Sequence, residues 1–247
     1  MTLIFPKIIF WSSFLLFSGE LLSVCLNKKT TARGFRTSGI WICLTGILFI
    51  IFSTKRPPLF GPFEASLYIV FILALLVNTY PKGKAVQLSN TRFYLIHSLV
   101  ILVVLAVQFN QPLSINDDYY MYDHLWVILF FNLRLISAAF FIHVMVLHLS
   151  CLLKGADDTA FFSKTIRYYS LVGIFLYLCS EWSGSFWCLA WFGDSWQWNS
   201  GFLKASLLFL VVMATFHLPP SLGRNPYIKT ALGSLPGIFA LWMLFYL

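Results

Sequence analysis

Charged residues are scarce in this sequence. Asp, Glu, Lys and Arg make up 11% of its 247 residues, whereas a soluble domain carries about 25%. Apolar residues reach 59%, against roughly 45–50% in soluble domains. This composition excludes a soluble globule, and it excludes a disordered chain, which is far less apolar. The composition therefore predicts an integral membrane protein.

Acidic residues are the scarcest charges, with nine Asp and Glu against 17 Lys and Arg, for a net charge of +8. The basic residues lie in short gaps between apolar runs rather than on one continuous basic face, and this excludes a nucleic-acid partner. Basic residues so placed are instead expected to set the orientation of membrane helices.

Several catalytic motifs are missing as well. The five cysteines form no C-x-x-C pair, which excludes a dithiol redox centre and a covalently attached prosthetic group. No Walker loop, G-x-S-x-G or H-E-x-x-H occurs, which disfavours ATPases and hydrolases. The first apolar run holds Glu20 and has no small-x-small cleavage site before Asn27, so we expect it to be retained as a helix.

Long apolar runs are abundant. Since a spanning helix needs about 20 apolar residues, they predict an all-α fold, a polytopic membrane helix bundle of about eight transmembrane helices. We expect residues 1–120 to form an N-terminal four-helix membrane part and 121–247 a C-terminal core. The eight predicted spans are 3–26, 37–54, 63–80, 93–109, 121–150, 168–188, 202–218 and 229–247.

The gaps between these runs predict the orientation. The gaps at 27–36, 81–92, 151–167 and 219–229 hold twelve Lys and Arg, whereas the opposite gaps and ends hold four, Lys55 and Arg56 among them. Cytoplasmic loops carry the excess of Lys and Arg. Both termini are therefore expected on the outer, periplasmic side of a bacterial inner membrane.

One outer segment, 181–201, holds five of the nine tryptophans. One interpretation is an interfacial aromatic belt, in which tryptophan is enriched. The other is a non-helical outer loop whose indoles form a flat, rigid, apolar platform for a large planar ligand or for another protein's helix.

The spacing in this segment resembles the signature of the cytochrome c assembly family, haem-handling membrane proteins of the CcsA and CcmC type. That signature runs S-G-x-x-W, then five residues, then G-x-x-W-x-W-D. Here it is matched by Ser183, Gly184, Trp187, Gly193, Trp196 and Trp198, with Asn199 in place of the aspartate and Trp191 inside the five-residue interval.

The resemblance implies iron ligands. CcsA-type members carry an intramembrane histidine 18 residues after the signature aspartate, and His217 follows Asn199 by 18. They also carry an outer histidine before the signature, which His124 matches by position and side. Their P-K-E-T continuation and second outer histidine have no counterpart in this sequence. We therefore expect a partner to complete the site.

His97, His143 and His217 are candidates for holding a non-covalent, b-type haem. Two imidazoles from facing helices are the usual way to hold one, so either His97 or His143 could pair with His217. The alternative is that these imidazoles pack between helices or bond across them.

Glu20 and Arg134 are candidate intramembrane charges. A charge at mid-bilayer needs a partner. For Arg134 the candidates are Glu20, Glu181 and a haem propionate.

These residues lead to three functional hypotheses. The first is a haem-binding and haem-presenting protein of cytochrome c biogenesis, at most a component of a haem lyase, acting with a CcsB-type membrane protein and apocytochrome c. The second is a non-catalytic accessory or b-haem-binding subunit of a larger membrane complex, which keeps the fold but has lost the outer haem site. The third is a small-solute transporter.

Overall fold

The computed structural model describes residues 4–78, 87–111, 113–115, 124–152, 159–195, 200–219, 222 and 225–245. Regular structure in these ranges is helical throughout, with no strand. The prediction of an all-α fold is confirmed for the part of the chain that is described.

The described ranges form eight α-helices, one at each predicted apolar run. A short 3-10 helix, Val107–Asn110, follows the fourth. The helices are α1 Ile4–Cys25, α2 Lys29–Thr54, α3 Pro62–Asn78, α4 Gln87–Ala106, α5 Leu125–Leu152, α6 Thr159–Phe192, α7 Ser200–Phe216 and α8 Pro226–Phe245.

Four stretches of the described chain are helical, long and apolar enough to cross a membrane: α1, α2, α5 and Thr91–Phe109, which covers most of α4. Two further apolar helices, Pro62–Asn78 and Gly201–Phe216, are shorter. These lengths and compositions are those of a membrane helix bundle. The count of eight spans stays a prediction.

The interpretation of 181–201 as a loop is wrong from Glu181 to Phe192, which form the last three turns of α6. The segment is compatible with a helix because its serines bond within it: the hydroxyl of Ser183 donates to the Cys179 carbonyl at 2.9 Å. The helix ends at Gly193, whose φ of +72° is left-handed and whose N–H donates to the Leu189 carbonyl at 3.1 Å. A left-handed glycine is a common helix terminator.

The chain divides into two compact units, Met1–Asp117 and Asp118–Tyr246. In the first unit, α2 and α4 each pack against both α1 and α3. In the second unit, α5 packs against α6 and α8, and α8 also packs against α7. The fifth helix is therefore the centre of the second unit.

Two buried ion pairs lie among the described residues of the first unit. Arg36 Nε donates to Glu20 Oε1 at 2.6 Å, between α2 and α1. Arg56 donates both terminal nitrogens to the Glu64 carboxylate, at 2.7 and 2.9 Å. In the cation count Arg56 is an outer residue that opposes the predicted orientation, yet it is 3% exposed. Its position therefore has a local reason, since it neutralises a buried carboxylate.

Candidate functional site

Helices α5 and α6 form an antiparallel pair, and this brings the start of α5 to the end of α6. Along the pair, the Ser137 hydroxyl donates to the Gly173 carbonyl at 2.9 Å and the Ser180 hydroxyl donates to the Phe130 carbonyl at 2.9 Å. Gly184 permits the close approach, because an added Cβ would lie 2.7 Å from the Phe130 ring.

His124 directly precedes α5 and is exposed. Its carbonyl accepts the N–H of Val127 at 3.1 Å, which places it at the first turn of the helix. Its imidazole meets the indole of Trp191 edge-to-face, with ring centroids 5.3 Å apart. The structure thus brings together the outer histidine and one of the platform tryptophans, which are far apart in the sequence.

Trp187 extends this contact into the helix pair. Residues four apart share one helix face, and the rings of Trp187 and Trp191 meet edge-to-face with centroids 5.8 Å apart, so these two indoles do not form the predicted flat platform. Trp187 also contacts Phe130 at 5.6 Å and Phe131 at 6.0 Å. We call these five residues, His124, Phe130, Phe131, Trp187 and Trp191, the aromatic cluster.

A cavity of about 270 Å³ opens beside the aromatic cluster. Its walls come from α5, α6, the residues after α6 and the start of α7, and include Phe130, Trp187, Cys188, Ser195 and Phe202. We call it the aromatic cavity.

An ion pair between Arg134 and Glu181 also lines the aromatic cavity. The guanidinium lies over the Phe130 ring, 4.2 Å from its centroid. Of the partners expected for Arg134, the structure selects Glu181, while Glu20 pairs with Arg36 in the first unit. The arginine therefore has a countercharge without a haem propionate.

Two donors of the cavity lining are buried without a hydrogen-bond acceptor among the described residues: Trp187 Nε1 and Arg134 Nε. A buried donor left without an acceptor costs free energy. The lining therefore favours an occupant that carries acceptor oxygens.

The structure places the other predicted site residues in different surroundings. Gly193 terminates α6, and nothing lies within 4 Å of the position that a Cβ would take there. Trp196, Trp198 and Asn199 lie outside the described residues. The platform can therefore be described only for its helical part, Trp187 and Trp191.

The inner histidines are separated. His97 is buried on α4 in the first unit, with its ring centroid 5.6 Å from that of Phe93. His143 is fully buried on α5 and meets Tyr169 edge-to-face at 4.8 Å. His217 follows α7 and is exposed. Of these three, His143 and His217 belong to the second unit and His97 to the first.

Sequence reasoning did not single out Phe130 and Phe131, nor His148. The signal for Phe130 was its spacing, four residues from both Trp126 and Arg134, which predicts a shared helix face. His148 lines a second cavity of about 290 Å³, together with Arg167 and Lys229. No group of three or more His, Cys, Asp or Glu side chains suited to a metal ion occurs among the described residues.

Comparison of the chain with protein-family models, with curated proteins and with solved structures found no match in any of the three. The likeness to the cytochrome c assembly family therefore rests on the signature residues of the sequence alone.

Proposed function

We propose that this chain is a haem-handling integral membrane protein of cytochrome c biogenesis, and that it holds haem at the aromatic cluster of its second unit. The observation that supports this is the contact between His124 and Trp191. The family resemblance assigns His124 to iron ligation, and the tryptophan-rich composition of 181–201 assigns Trp191 to the porphyrin platform; neither assignment uses any information on the distance between them.

The residues of the aromatic cluster suit haem. An exposed imidazole is an axial ligand for haem iron, and the indoles of Trp187 and Trp191, inclined at 79° to one another, offer separate apolar faces rather than one flat surface. The aromatic cavity, at about 270 Å³, lies just below the range of roughly 300–1,000 Å³ for pockets that enclose a ligand. The macrocycle would therefore lie along the cluster rather than inside the cavity. Bound haem would supply the iron and the vinyl groups that react with a cytochrome.

The role of this chain would be placement. His124 would ligate iron, Trp187 and Trp191 would orient the porphyrin, and apocytochrome c would supply the thiols. A second membrane protein, of the CcsB type, would complete the iron site. The predicted orientation puts the cluster on the periplasmic side of a bacterial inner membrane, where apocytochrome c is accessible.

The test is haem binding by the purified protein, followed by absorption spectroscopy. His124→Ala should lose or shift the haem band. Trp191→Leu should weaken haem affinity about 2- to 13-fold, the range for an aromatic pair. Trp182→Leu is the matched control, because Trp182 lies on the same helix but is 64% exposed and contacts Phe186. Wild-type haem affinity and spectrum in His124→Ala would overturn the proposal.

A second candidate is supported by the Arg134–Glu181 ion pair. Because Glu181 already neutralises Arg134, the arginine does not need a haem propionate as its countercharge. An accessory or b-haem-binding subunit of a larger membrane complex, without an outer haem site, would show this arrangement. Haem binding that depends on His143 and His217 but not on His124 would favour this candidate.

A further inference from the structure

A second polar cavity lies in the first unit, independent of the aromatic cluster. It measures about 570 Å³ and is bounded by the start of α2, the end of α3 and part of α4. The charged residues among its described walls are all cations, and polar neutral groups fill most of the rest. The cations are Lys29, Arg33 and Arg36, and the neutral polar residues are Asn27, Thr37, Asn78, Thr91 and Tyr94. We call it the basic cavity.

One of the three cations is fixed in place. Arg36 is buried, donates to Glu20 at 2.6 Å and lies over the Tyr94 ring, 4.5 Å from its centroid. Its charge is balanced by Glu20, so Arg36 forms a rigid wall rather than a free charge.

The other two cations give the basic cavity its net charge. Lys29 and Arg33 are exposed, and the salt bridges of the described residues involve neither of them. They lie four apart in the first turns of α2, so they share one face of the helix. The cavity therefore holds two positive charges that no described acidic residue balances.

The start of α2 adds to this charge. The first amides of a helix lack intrahelical partners and carry a partial positive charge. Lys28, the residue before α2, makes no side-chain capping bond. An anion beside Lys29 and Arg33 would meet both the side-chain charges and the helix dipole.

The lining also has an apolar part. Val24, Ala32 and Val77 are buried and border the basic cavity. A phosphate flanked by hydrocarbon matches such a wall better than a free inorganic ion does. The gap at 27–36 lies on the cytoplasmic side in the predicted orientation, where anionic headgroups attract basic residues.

We propose that the basic cavity binds a phosphate-type oxyanion, and that its source is the headgroup of an anionic phospholipid of the inner leaflet. Lys29 and Arg33 contact the phosphate, and the apolar wall takes the start of the acyl chains. This site does not depend on haem binding in the second unit.

The experiment uses the full chain in nanodiscs or detergent, and measures the binding of phosphatidylglycerol relative to phosphatidylcholine. The variant is Lys29→Gln with Arg33→Gln. The matched control is Lys164→Gln with Arg167→Gln, which removes the same charge from an exposed lysine and an exposed arginine of α6, outside the basic cavity. At about 1 kcal/mol per cation, the site variant should lose phosphatidylglycerol affinity about 30-fold, whereas the control should change little.

Inorganic phosphate separates the two sources of the oxyanion. If it neither binds at millimolar concentration nor competes with phosphatidylglycerol, the lipid is the ligand. If phosphate binds, depends on Lys29 and Arg33, and outcompetes the lipid, the lipid assignment is overturned. Equal losses of lipid affinity in the site variant and the control would overturn the site itself, since the effect would then be one of net charge alone.

Discussion

Single carboxylates decide where arginines can be buried in this molecule. In the described part of the chain, Glu20, Glu64 and Glu181 each pair with an arginine. Ionised groups in hydrocarbon are costly and pair with one another. The most buried pair is Arg56–Glu64, with side chains 2% and 0% exposed. It should therefore be the most sensitive to loss of one partner.

Glu64→Gln should destabilise the first unit by about 3–5 kcal/mol, because removing one partner leaves the other charge buried and uncompensated. Denaturant unfolding in detergent measures this loss. The double variant Arg56→Met with Glu64→Leu should recover most of it, since an apolar pair avoids the desolvation of both charges. A Glu64→Gln variant as stable as the wild type would contradict this account.

His217 carries the second prediction at the residue scale. If it shares a b-type haem with the buried His143, His217→Ala should convert six-coordinate low-spin iron to five-coordinate iron or release the haem. His143→Ala should give the same spectrum. His217→Gln separates ligation from packing, because an amide of similar size preserves packing but is a poor iron ligand. An unchanged spectrum in His217→Ala would exclude this histidine as a ligand.

At the scale of elements, the apolar runs predict where helices occur but not where they end. Helix α2 begins at Lys29 and α6 at Thr159, both within gaps assigned to loops. Hydropathy locates only the apolar part of a helix. The helix itself extends further, because the charged turns at its ends keep the same backbone hydrogen bonds. For the same reason the predicted span stops at residue 188, although α6 continues to Phe192 and its serines bond to carbonyls within the helix.

The candidate site, too, could be predicted from the sequence only in part. The resemblance assigns His124 and the tryptophans to one function, and the structure places His124 beside Trp191. The choice of Glu181 over Glu20 as the partner of Arg134 could not be made from the sequence, because it depends on which helices pack together. The basic cavity could not be predicted either. In the sequence, Lys29 and Arg33 look like any short basic cluster between two apolar runs, and such a cluster gives no sign that it lines a cavity.

The close packing of α8 against α5 gives a testable prediction at this scale. At Gly237 of α8, an added Cβ would lie 2.5 Å from Met145 Cβ and 2.6 Å from the Phe141 carbonyl oxygen, both on α5. Small residues allow this approach in membrane bundles. Gly237→Ala should lower the midpoint of thermal unfolding, because the two backbones must separate.

Gly34→Ala is the matched control for this variant. Nothing lies within 4 Å of a Cβ at Gly34, within α2. Alanine is favoured over glycine in a helix by about 1 kcal/mol, so this variant should be neutral or stabilising. If the two variants have the same effect on unfolding, close packing at Gly237 is not important for stability.

At the scale of the whole molecule, the length of α6 bears on the orientation. Its 34 residues extend about 51 Å at 1.5 Å per residue, whereas the hydrocarbon core is about 30 Å thick. In the predicted topology residues 168–188 cross the membrane, and a helix of this length would then project beyond the core at one or both ends. The basic residues lie near its start and the tryptophans near its end, as expected for a cytoplasmic start and an outer, interfacial end.

Labelling of single cysteines tests this orientation. In a variant without its native cysteines, Ser195→Cys should react with a membrane-impermeant maleimide in intact cells, because Ser195 is exposed just beyond α6. Lys164→Cys, exposed near the other end of the same helix, should react only after the membrane is permeabilised. Because one helix joins the two positions, a single crossing gives them opposite accessibility.

The reverse pattern would place the aromatic cluster in the cytoplasm, where it could not present haem to a periplasmic apocytochrome. Equal accessibility from outside would show that α6 does not span the membrane.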